Sequence, residues 1–355
     1  PVMPTYSTPP CGSADLKYIF SVAKTIGEHL TEYKVIVNKS TVPPGTTRKT
    51  AEIIAENCRQ AIDFDVVANP EFLREGNAIR AFNYPDKIVL GSSSDRALSL
   101  MRRVYSGRLR TYLPIVETDW ETAETIKYAN NTFLATKISF INEMANICDA
   151  VGADIKVVSM ALGMDYRISP RFLNPGVGYG GSCFPKDVKA LIAAARQKDY
   201  QAKLFEEVDS LNERQKKMMA EKIKTVFNNH IEGRTFSIFG LSFKPKTSDM
   251  REAPSIVIID ELLAAGAKIK AYDPVAVEEA KKILSGEISY CESVEDAVKG
   301  SSAIIIVTEW DEFRSINFGE IGKLMEKKIV FDGRNIYEPE LIREEGFEYY
   351  GVGRR

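Results

Sequence analysis

The sequence predicts an α/β protein in which two Rossmann-like domains with parallel sheets are joined by a long helical region. Three observations support this architecture. Short apolar strands alternate with helices in the first third of the chain, the stretch 120–151 contains neither glycine nor proline, and the alternation resumes after Gly233. Strands that alternate with helices indicate parallel sheets with right-handed crossovers. We therefore expect three parts, at residues 1–118, 119–229 and 230–355.

The first part is predicted to contain one helix followed by alternating strands and helices. Residues 15–30 form the helix, because Leu16, Ile19 and Val22 fall on one face. Apolar strands are expected at 34–38, 65–69, 87–91 and 113–117, with a helix ending near 59, a short helix after 76 and a helix at 95–105. The loops at 39–47 and 69–76 follow the first two strands, and parallel sheets bind ligands at such carboxyl ends.

The middle part is predicted to be helical, at 120–151, 154–162, 185–198 and 205–227. Along the first of these helices, Lys127 and Asn131 lie in line with the apolar Leu134, Ile138 and Ile141. A buried ammonium group is costly unless it is paired, which makes Lys127 a candidate for a functional site. The alternative is that this end of the helix emerges into water, where the lysine only extends its charged end to solvent.

A glycine-rich stretch at 174–187 carries the strongest chemical signal. Four glycines in six residues, at 176, 178, 180 and 181, allow the backbone to approach a ligand closely. Cys183 precedes a predicted helix, whose positive end stabilises a thiolate, and Asp187 lies one helical turn further on. These features predict covalent chemistry on a bound ligand. An ordinary buried thiol is the alternative for the cysteine.

The same glycines formally match the dinucleotide fingerprint G-x-G-x-x-G. That fingerprint requires a preceding strand within a βαβ unit. The preceding residues, 171–175, are short and interrupted by proline, which argues against this interpretation.

The last part is predicted to be a second Rossmann-like half. Strands are expected at 235–240, 268–272, 303–307 and 328–331, with a helix at 254–265 and further helices between the later strands. Lys244 and Arg334 follow strands, where phosphate groups of ligands are expected. Either residue alone is more often a surface charge.

Composition excludes several classes of protein. The 355 residues carry a net charge of −2, with both signs mixed along the chain, which argues against nucleic-acid binding. The apolar runs are only as long as strands, which argues against a membrane span. The five cysteines form no C-x-x-C pair and there are only two histidines, so we expect no metal site and a reducing, cytoplasmic environment.

Several stretches, in the same order along the chain, resemble the UDP-glucose 6-dehydrogenase family of nucleotide-sugar dehydrogenases. The matching residues are 40–46 (STVPPGT), 69–76 (NPEFLREG), 127–132 (KYANNT), 178–187 (GYGGSCFPKD), 243–245 (FKP), 251–252 (RE) and 332–335 (DGRN). The resemblance implies an N-terminal NAD-binding domain, a central helical dimer region and a C-terminal UDP-binding domain. It also implies a homodimer or a higher homo-oligomer.

The resemblance further implies a reaction, the NAD-dependent four-electron oxidation of UDP-glucose to UDP-glucuronate. Cys183 would capture the aldehyde as a thiohemiacetal, a second hydride transfer would give a thioester, and water would hydrolyse it. Lys127 would stabilise the oxyanion, and Glu71 would act as a general acid and base through water. Asp187, Asn131 and Thr41 would position the water and the reacting hydroxyl group.

Two sets of binding residues are implied in the same way. The substrate set, in which Arg167 reaches the site of the neighbouring subunit, is Phe72, Leu73, Arg167, Asn174, Gly178, Tyr179, Gly180, Phe243, Lys244 and Arg334. The NAD set is Ser40, Thr41, Glu75, Lys186 and Arg251.

The sequence departs from the family at its start. The family opens with a strand, a G-x-G-x-x-G turn and two more βα units, whereas residues 1–10 here match the loop after its fourth strand, at Thr8-Pro9. We therefore expect an incomplete N-terminal domain and a fragment that is inactive by itself. The alternatives are a related enzyme that acts on GDP-mannose or another UDP-sugar, and a UDP-sugar-binding protein without redox activity.

Overall fold

Short strands and helices alternate in both the first and the last part of the chain in the computed structural model. The structure describes residues 12–73, 75–106 and 114–354, so the stretch 1–10 that was compared with a family loop lies outside the described residues. The chain forms two compact units, Pro1–Phe133 with Lys186–Glu206, and Leu134–Pro185 with Glu207–Arg355. The three-part division expected from the sequence stays a prediction.

The first unit is built on a four-stranded sheet in the order β1-β2-β3-β4. Its elements are α1 (Lys17–His29), β1 (Lys34–Asn38), α2 (Thr46–Asn57), β2 (Phe64–Ala68), α3 (Ala78–Asn83), β3 (Ile88–Gly91), α4 (Asp95–Ser106) and β4 (Ile115–Thr118). Buried apolar side chains of the strands, such as Val67 and Leu90, pack with Leu98 and Met101 of α4. The predicted alternation of strands and helices is therefore confirmed here, with the stated ends shifted by at most two residues.

One strand pair of this sheet departs from the parallel pattern. β1 pairs with β2, and β3 with β4, in parallel, but β2 and β3 meet antiparallel at the single pair Ala68–Gly91. Among the described residues of the connection between them, the single helix is the six-residue α3, which buries none of its residues. A parallel connection normally requires a crossover element packed on the sheet, and this connection does not supply one.

Four longer helices follow, and three of them cross the boundary between the units. They are α5 (Trp120–Val151), α6 (Ile155–Met164), α7 (Phe184–Arg196) and α8 (Lys203–Val226). The predicted ends of α5 are confirmed, because a stretch without glycine or proline contains no residue that would interrupt it. The helix predicted from residue 185 begins one residue earlier, directly after Cys183.

The second unit contains a six-stranded parallel sheet in the order β7-β6-β5-β8-β9-β10. The elements after α8 are β5 (Thr235–Phe239), α9 (Pro254–Ala264), β6 (Lys268–Tyr272), α10 (Val277–Ile283), β7 (Ile288–Tyr290), α11 (Val294–Val298), β8 (Ala303–Ile306), a 3-10 helix (Asp311–Ser315), α12 (Phe318–Ile321), β9 (Ile329–Asp332), α13 (Pro339–Glu344) and β10 (Glu348–Gly351). This is the strand order of a Rossmann fold, which places the switch point between β5 and β8.

Two structural findings bear on other classes of protein. Among the residues described, no helix combines the length and the apolar character needed to cross a membrane. Within the same residues, no three His, Cys, Asp or Glu side chains are grouped so that they could hold a metal ion.

Candidate active site

The glycine-rich loop of the second unit, residues 174–181, is buried except for Asn174. Its glycines are required by close contacts on several sides. A Cβ at Gly180 would lie 2.2 Å from the carbonyl oxygen of Glu252, and one at Gly181 would lie 2.7 Å from the Phe243 ring. The backbone of the loop therefore lies directly against the segments around residues 243 and 252, an approach that only glycine allows.

Arg334 lies at the carboxyl end of β9 and joins this loop to the switch point of the sheet. Its Nε donates to the carbonyl oxygen of Val307, which follows β8, at 2.6 Å. Its two terminal nitrogens donate to the carbonyl oxygens of Gly178, at 3.5 Å, and Phe243, at 3.4 Å. Three predicted substrate-binding positions thus meet where a Rossmann-like sheet binds ligands.

Arg334 also forms an ion pair with a carboxylate. The Glu309 carboxylate lies 3.2 Å from Nε, an ion pair without a hydrogen bond because the Nε–H group already donates to Val307. Lys244 directly follows Phe243, and its ammonium group lies 5.1 Å from the centroid of the Phe243 ring. Two cations therefore stand at the ends of β5 and β9, which suits an anionic ligand such as a diphosphate.

Asp332 was quoted in a matching stretch but given no role, and the structure assigns it one. It is fully buried at the end of β9, and it accepts hydrogen bonds from the backbone N–H groups of Arg334 and Tyr337 and from the Tyr349 hydroxyl. Burial raises the pKa of the Asp332 carboxyl. Asp332 therefore holds the backbone of the loop that carries Arg334. The sequence offered one signal for this role, an aspartate at the end of an apolar strand and directly before Gly-Arg.

Cys183 follows the glycine-rich loop and directly precedes α7. Its side chain is exposed, with Sγ 3.7 Å from the Ser182 hydroxyl oxygen. The alternative of a buried packing thiol is therefore wrong. A thiol in front of the first turn of a thirteen-residue helix faces the positive end of the helix dipole.

Asp187, in the first turn of α7, belongs to the first unit and is almost completely buried. One carboxylate oxygen accepts a hydrogen bond from the side-chain amide of Asn131 at 2.6 Å. The other forms an ion pair with the ammonium group of Lys186 at 2.6 Å. The structure thus brings together two residues predicted to position water and one predicted to contact NAD.

Lys127 lies on α5 one turn before Asn131 and is only 4% exposed. The alternative that it extends into water is therefore wrong. Its ammonium group lies 5.1 Å from the centroid of the Phe72 ring, and that of Lys87 lies 4.6 Å from the same centroid. No carboxylate of the described residues forms a salt bridge with Lys127. Sequence reasoning missed Lys87, because nothing in the local pattern links it to Phe72.

The other residues of the loop after β2 are more exposed. The Glu71 carboxylate accepts a hydrogen bond from the backbone N–H of Leu73. Leu73 and Glu75 are exposed, and Glu71 and Phe72 are half-buried. In the loop after β1, Ser40 and Thr41 are half-buried, and the Ser40 N–H donates to the Asn38 side chain at 3.3 Å.

Glu124 is a second residue that sequence reasoning missed. It lies on α5 one turn before Lys127 and is 3% exposed. Its two carboxylate oxygens accept hydrogen bonds from the backbone N–H groups of Gly45 at 2.6 Å and Thr47 at 2.7 Å, at the start of α2. Burial raises the pKa of the Glu124 carboxyl to about 7. This contact connects the loop with Ser40 and Thr41 to the helix with Lys127 and Asn131.

Two predicted site residues lie in the second unit on exposed segments. Arg251 forms a forked contact with Asp249, with nitrogen–oxygen distances of 2.6–3.1 Å. Arg167 forms the same kind of contact with Asp165, and its side chain is 74% exposed. The roles proposed for both stay predictions, as do those of the other site residues.

Comparison with known proteins identifies the family. Three family models match: the NAD binding domain of the UDP-glucose/GDP-mannose dehydrogenase family at residues 3–108, its central domain at 121–214 and its UDP binding domain at 237–339. UDP-glucose 6-dehydrogenase TuaD of Bacillus subtilis is 44% identical over 97% of this chain and 74% of its own length. The chain belongs to the UDP-glucose/GDP-mannose dehydrogenase family.

Further members of this family are similar in sequence or in structure. UDP-glucose 6-dehydrogenase of Pseudomonas aeruginosa is 41% identical over 97% of this chain and 79% of its own length. A UDP-glucose dehydrogenase from Pyrobaculum islandicum has a TM-score of 0.91 at 34% identity, over 100% of this chain and 79% of that one. A UDP-D-ManNAc dehydrogenase from Pyrococcus horikoshii has a TM-score of 0.85 at 28% identity, over 99% of this chain and 80% of that one. The resemblance seen in the sequence is therefore confirmed, and NAD is the cofactor of this family's N-terminal domain.

Proposed function

We propose, in place of the inactivity expected of the chain by itself, that it oxidises the C6 alcohol of UDP-glucose to a carboxylate, with two molecules of NAD+ reduced and one water consumed. The relatives at 41–44% identity that bear the name UDP-glucose 6-dehydrogenase support this substrate. The observation that carries the proposal is the exposed thiol of Cys183, directly after a buried glycine-rich loop that meets Arg334 and Phe243. A thiol in that position can capture an aldehyde on a nucleotide sugar held by the loop.

The residues at the carboxyl ends of β1 and β2 fit the cofactor. Ser40 and Thr41 offer half-buried hydroxyl groups at the edge where parallel sheets bind dinucleotides. We assign NAD contacts to these two residues and to Glu75, Lys186 and Arg251. When bound, NAD+ supplies the hydride acceptor for both oxidation steps.

In the first step, the C6 alcohol loses a hydride and a proton and becomes an aldehyde. We assign stabilisation of the oxygen to Lys127, whose ammonium group is buried and has no salt bridge among the described residues. Glu71 accepts the proton through water. Asn131 and Asp187, joined at 2.6 Å, position that water together with Thr41.

In the second step, the Cys183 sulfur adds to the aldehyde carbon and forms a thiohemiacetal. Loss of a second hydride gives a thioester, and water attacks the thioester carbon and releases the thiol and the carboxylate. Binding of the UDP-sugar is assigned to Arg334, Lys244, Phe243, Phe72, Leu73 and the loop 174–180.

We also propose that the enzyme is a cytoplasmic homodimer. α5 and α6 present exposed apolar side chains at helical spacing, namely Phe140, Ile147, Val151, Val157, Met160 and Met164. The exposed Arg167 follows α6 and would complete the partner's site. A Phe140→Glu variant should be monomeric by light scattering and should lose most of its activity.

The test of function measures NADH formation and binding separately. UDP-glucose should yield two equivalents of NADH, and GDP-mannose and UDP-D-ManNAc should be turned over at least 100-fold less efficiently. Cys183→Ser should abolish turnover and leave calorimetric UDP-glucose affinity within about tenfold, or about 1.4 kcal/mol. Binding of UDP-glucose without NADH formation would instead identify a non-redox binding protein, and a large loss of affinity in the variant would make Cys183 structural.

A further inference from the structure

Three buried amide side chains hold the backbone of the glycine-rich loop in the second unit. Asn212 of α8 donates to the carbonyl oxygen of Tyr179 at 3.0 Å and accepts from its N–H group at 2.9 Å. Gln215, one turn further on, donates to the carbonyl oxygen of Gly176 at 2.7 Å. Asn142 of α5 accepts from the N–H of Gly176 at 2.8 Å. Four backbone groups of two loop residues are therefore satisfied by side chains.

The orientation of Gln215 is itself fixed by a neighbour. The amide of Asn146 on α5 donates to the Gln215 Oε1 at 2.9 Å, which leaves the Nε2 of Gln215 to face Gly176. Asn212 and Gln215 are each 1% exposed, so neither is positioned to contact a ligand in solvent. An amide carries a donor and an acceptor at fixed geometry, which is what a backbone N–H and C=O pair requires.

The two bonded residues flank the position that meets Arg334. Gly178 lies between Gly176 and Tyr179, and its carbonyl oxygen accepts the hydrogen bond from Arg334 at 3.5 Å. A Cβ at Gly178, where φ is +94°, would lie 3.0 Å from the Asn212 Oδ1. The amides therefore determine how closely the loop lies on α8, and with it where the Gly178 carbonyl meets Arg334.

The loop also leads directly into the helix behind Cys183. The Tyr179 ring packs edge-on against Phe184, the first residue of α7, with ring centroids 5.9 Å apart. On the same face of α8, Lys216 is paired with Glu213 and Glu252 at 2.9 Å, and the Glu252 carbonyl limits the position of Gly180. One buried polar face of α8 thus contacts the loop along most of its length.

We propose that Asn212 and Gln215 are positioning residues for the nucleotide sugar. They hold the backbone of residues 176–179 in the conformation that binds the sugar and diphosphate, without contacting the substrate. This inference rests on the proposed function of that loop. The alternative is that the amides only stabilise the fold, in which case a folded variant would bind substrate normally.

The sharpest test replaces the side-chain NH2 group of Asn212 with an oxygen atom. In Asn212→Asp, one oxygen can still accept from the Tyr179 N–H, but an ionised carboxylate places a second acceptor against the Tyr179 carbonyl. A protonated carboxyl can donate to that carbonyl as the amide does, and burial favours the protonated form. The UDP-glucose affinity of this variant should therefore depend on pH, relative to wild type measured at the same pH.

Calorimetry with UDP-glucose in the absence of NAD gives the readout. At pH 8.5 the Kd of Asn212→Asp should be at least tenfold above wild type, about 1.4 kcal/mol, and at pH 5.5 it should be within about threefold. Arg214→Gln, on the exposed side of the same helical turn, is the matched control and should change Kd less than about twofold at both pH values. Circular dichroism at each pH establishes that the variants are folded.

Gln215→Glu provides an independent variant, because its Oε1 can still accept from Asn146 while the donor to Gly176 is lost. A folded Asn212→Asp or Gln215→Glu protein with wild-type Kd at pH 8.5 would overturn the proposal, and so would failure of both to fold. If wild type itself does not bind UDP-glucose, the proposed function fails, whereas wild-type binding with an unchanged Kd in the folded variants overturns only the positioning role.

Discussion

The two loops assigned to the substrate differ sharply in how the protein holds them. Residues 175–181 of the second unit are buried, and three amide side chains, Arg334 and the Arg251 carbonyl bond their backbone. The segment 71–84 of the first unit, apart from Arg74, is largely exposed, with Ile79 81% exposed and no buried residue in α3.

The two segments therefore differ in how freely each can change its conformation. A loop that is fixed on several sides presents a preformed surface, so binding a ligand there costs little ordering. An exposed segment with few buried contacts adjusts its conformation at low cost. We therefore expect the fixed loop to respond strongly to a single added methyl group and the exposed segment 71–84 to tolerate substitution.

The largest effect is expected from adding one methyl group to the fixed loop. In Gly180→Ala the new Cβ would lie 2.2 Å from the Glu252 carbonyl oxygen, a backbone atom that no rotamer change can move. We expect a loss of about 3 kcal/mol in unfolding free energy or in UDP-glucose binding, since overpacking of this kind costs about 1–3 kcal/mol. Urea unfolding measures the change in unfolding free energy, and calorimetry measures the change in UDP-glucose affinity.

Gly233→Ala is the control for this variant. Gly233 has φ +74° but no atom within 4 Å of a new Cβ, so alanine there adds backbone strain without a clash. Its cost should be about 1 kcal/mol, and UDP-glucose affinity should not change. Equal effects of the two variants would mean that the contact at Gly180 is not tight.

The second prediction tests whether the first unit also contains a fixed segment. The folded-state pKa of Glu124 is about 7, above its ordinary value of 4.5. Because the folded-state pKa of Glu124 is raised, the protonated carboxyl stabilises the fold. This contribution is fully present below pH 4.5 and is lost as the pH rises through 7. From pH 4.5 to 8 the first unit should therefore lose about 3 kcal/mol that Glu124→Gln does not lose.

Trp120 fluorescence during urea unfolding reports on this unit, since its indole donates to the Val66 carbonyl oxygen. Both proteins should carry Trp310→Phe, which removes the other tryptophan. Parallel pH profiles for the two proteins would mean that Glu124 remains ionised throughout and does not couple α2 to α5 in this way.

Removing the cation at the fixed loop should have the next largest effect. Arg334→Ala should weaken UDP-glucose binding by about 1.5–3 kcal/mol, because a charge-assisted contact to the substrate is lost. Arg334→Lys should recover only part of the affinity, since an ammonium group cannot reproduce the fork that spans Gly178 and Phe243. Unchanged calorimetric affinity in Arg334→Ala would remove this residue from the site.

The smallest effect is expected on the exposed segment. Ile79→Ser should change the unfolding free energy by less than about 0.5 kcal/mol, because an exposed side chain loses little on truncation. Urea unfolding measures this change, with Ile305→Ser in the buried strand β8 as the contrasting variant. A cost of more than about 1 kcal/mol at Ile79 would show that another part of the protein covers α3.

Elements with a strong local signal could be predicted from their own residues. Apolar spacing and the absence of breakers predicted α5, and an apolar run between turn residues predicted β6 at the residues where they lie. The glycine-rich stretch at 174–187 and Arg334 after a strand were likewise noted from the residues themselves. These features depend on neighbours within a few residues, which a sequence pattern records directly.

Contacts between residues far apart in the chain could not be predicted from local patterns. No local pattern pairs Glu124 with the start of α2, Lys87 with Phe72, or Asn212 with Tyr179, because each contact joins residues at least 15 positions apart. β7 and β10 escaped prediction because strands of three and four mixed residues are stabilised by their parallel neighbours rather than by their own pattern. Burial is what gives these contacts their strength, and burial is a property of the packed chain.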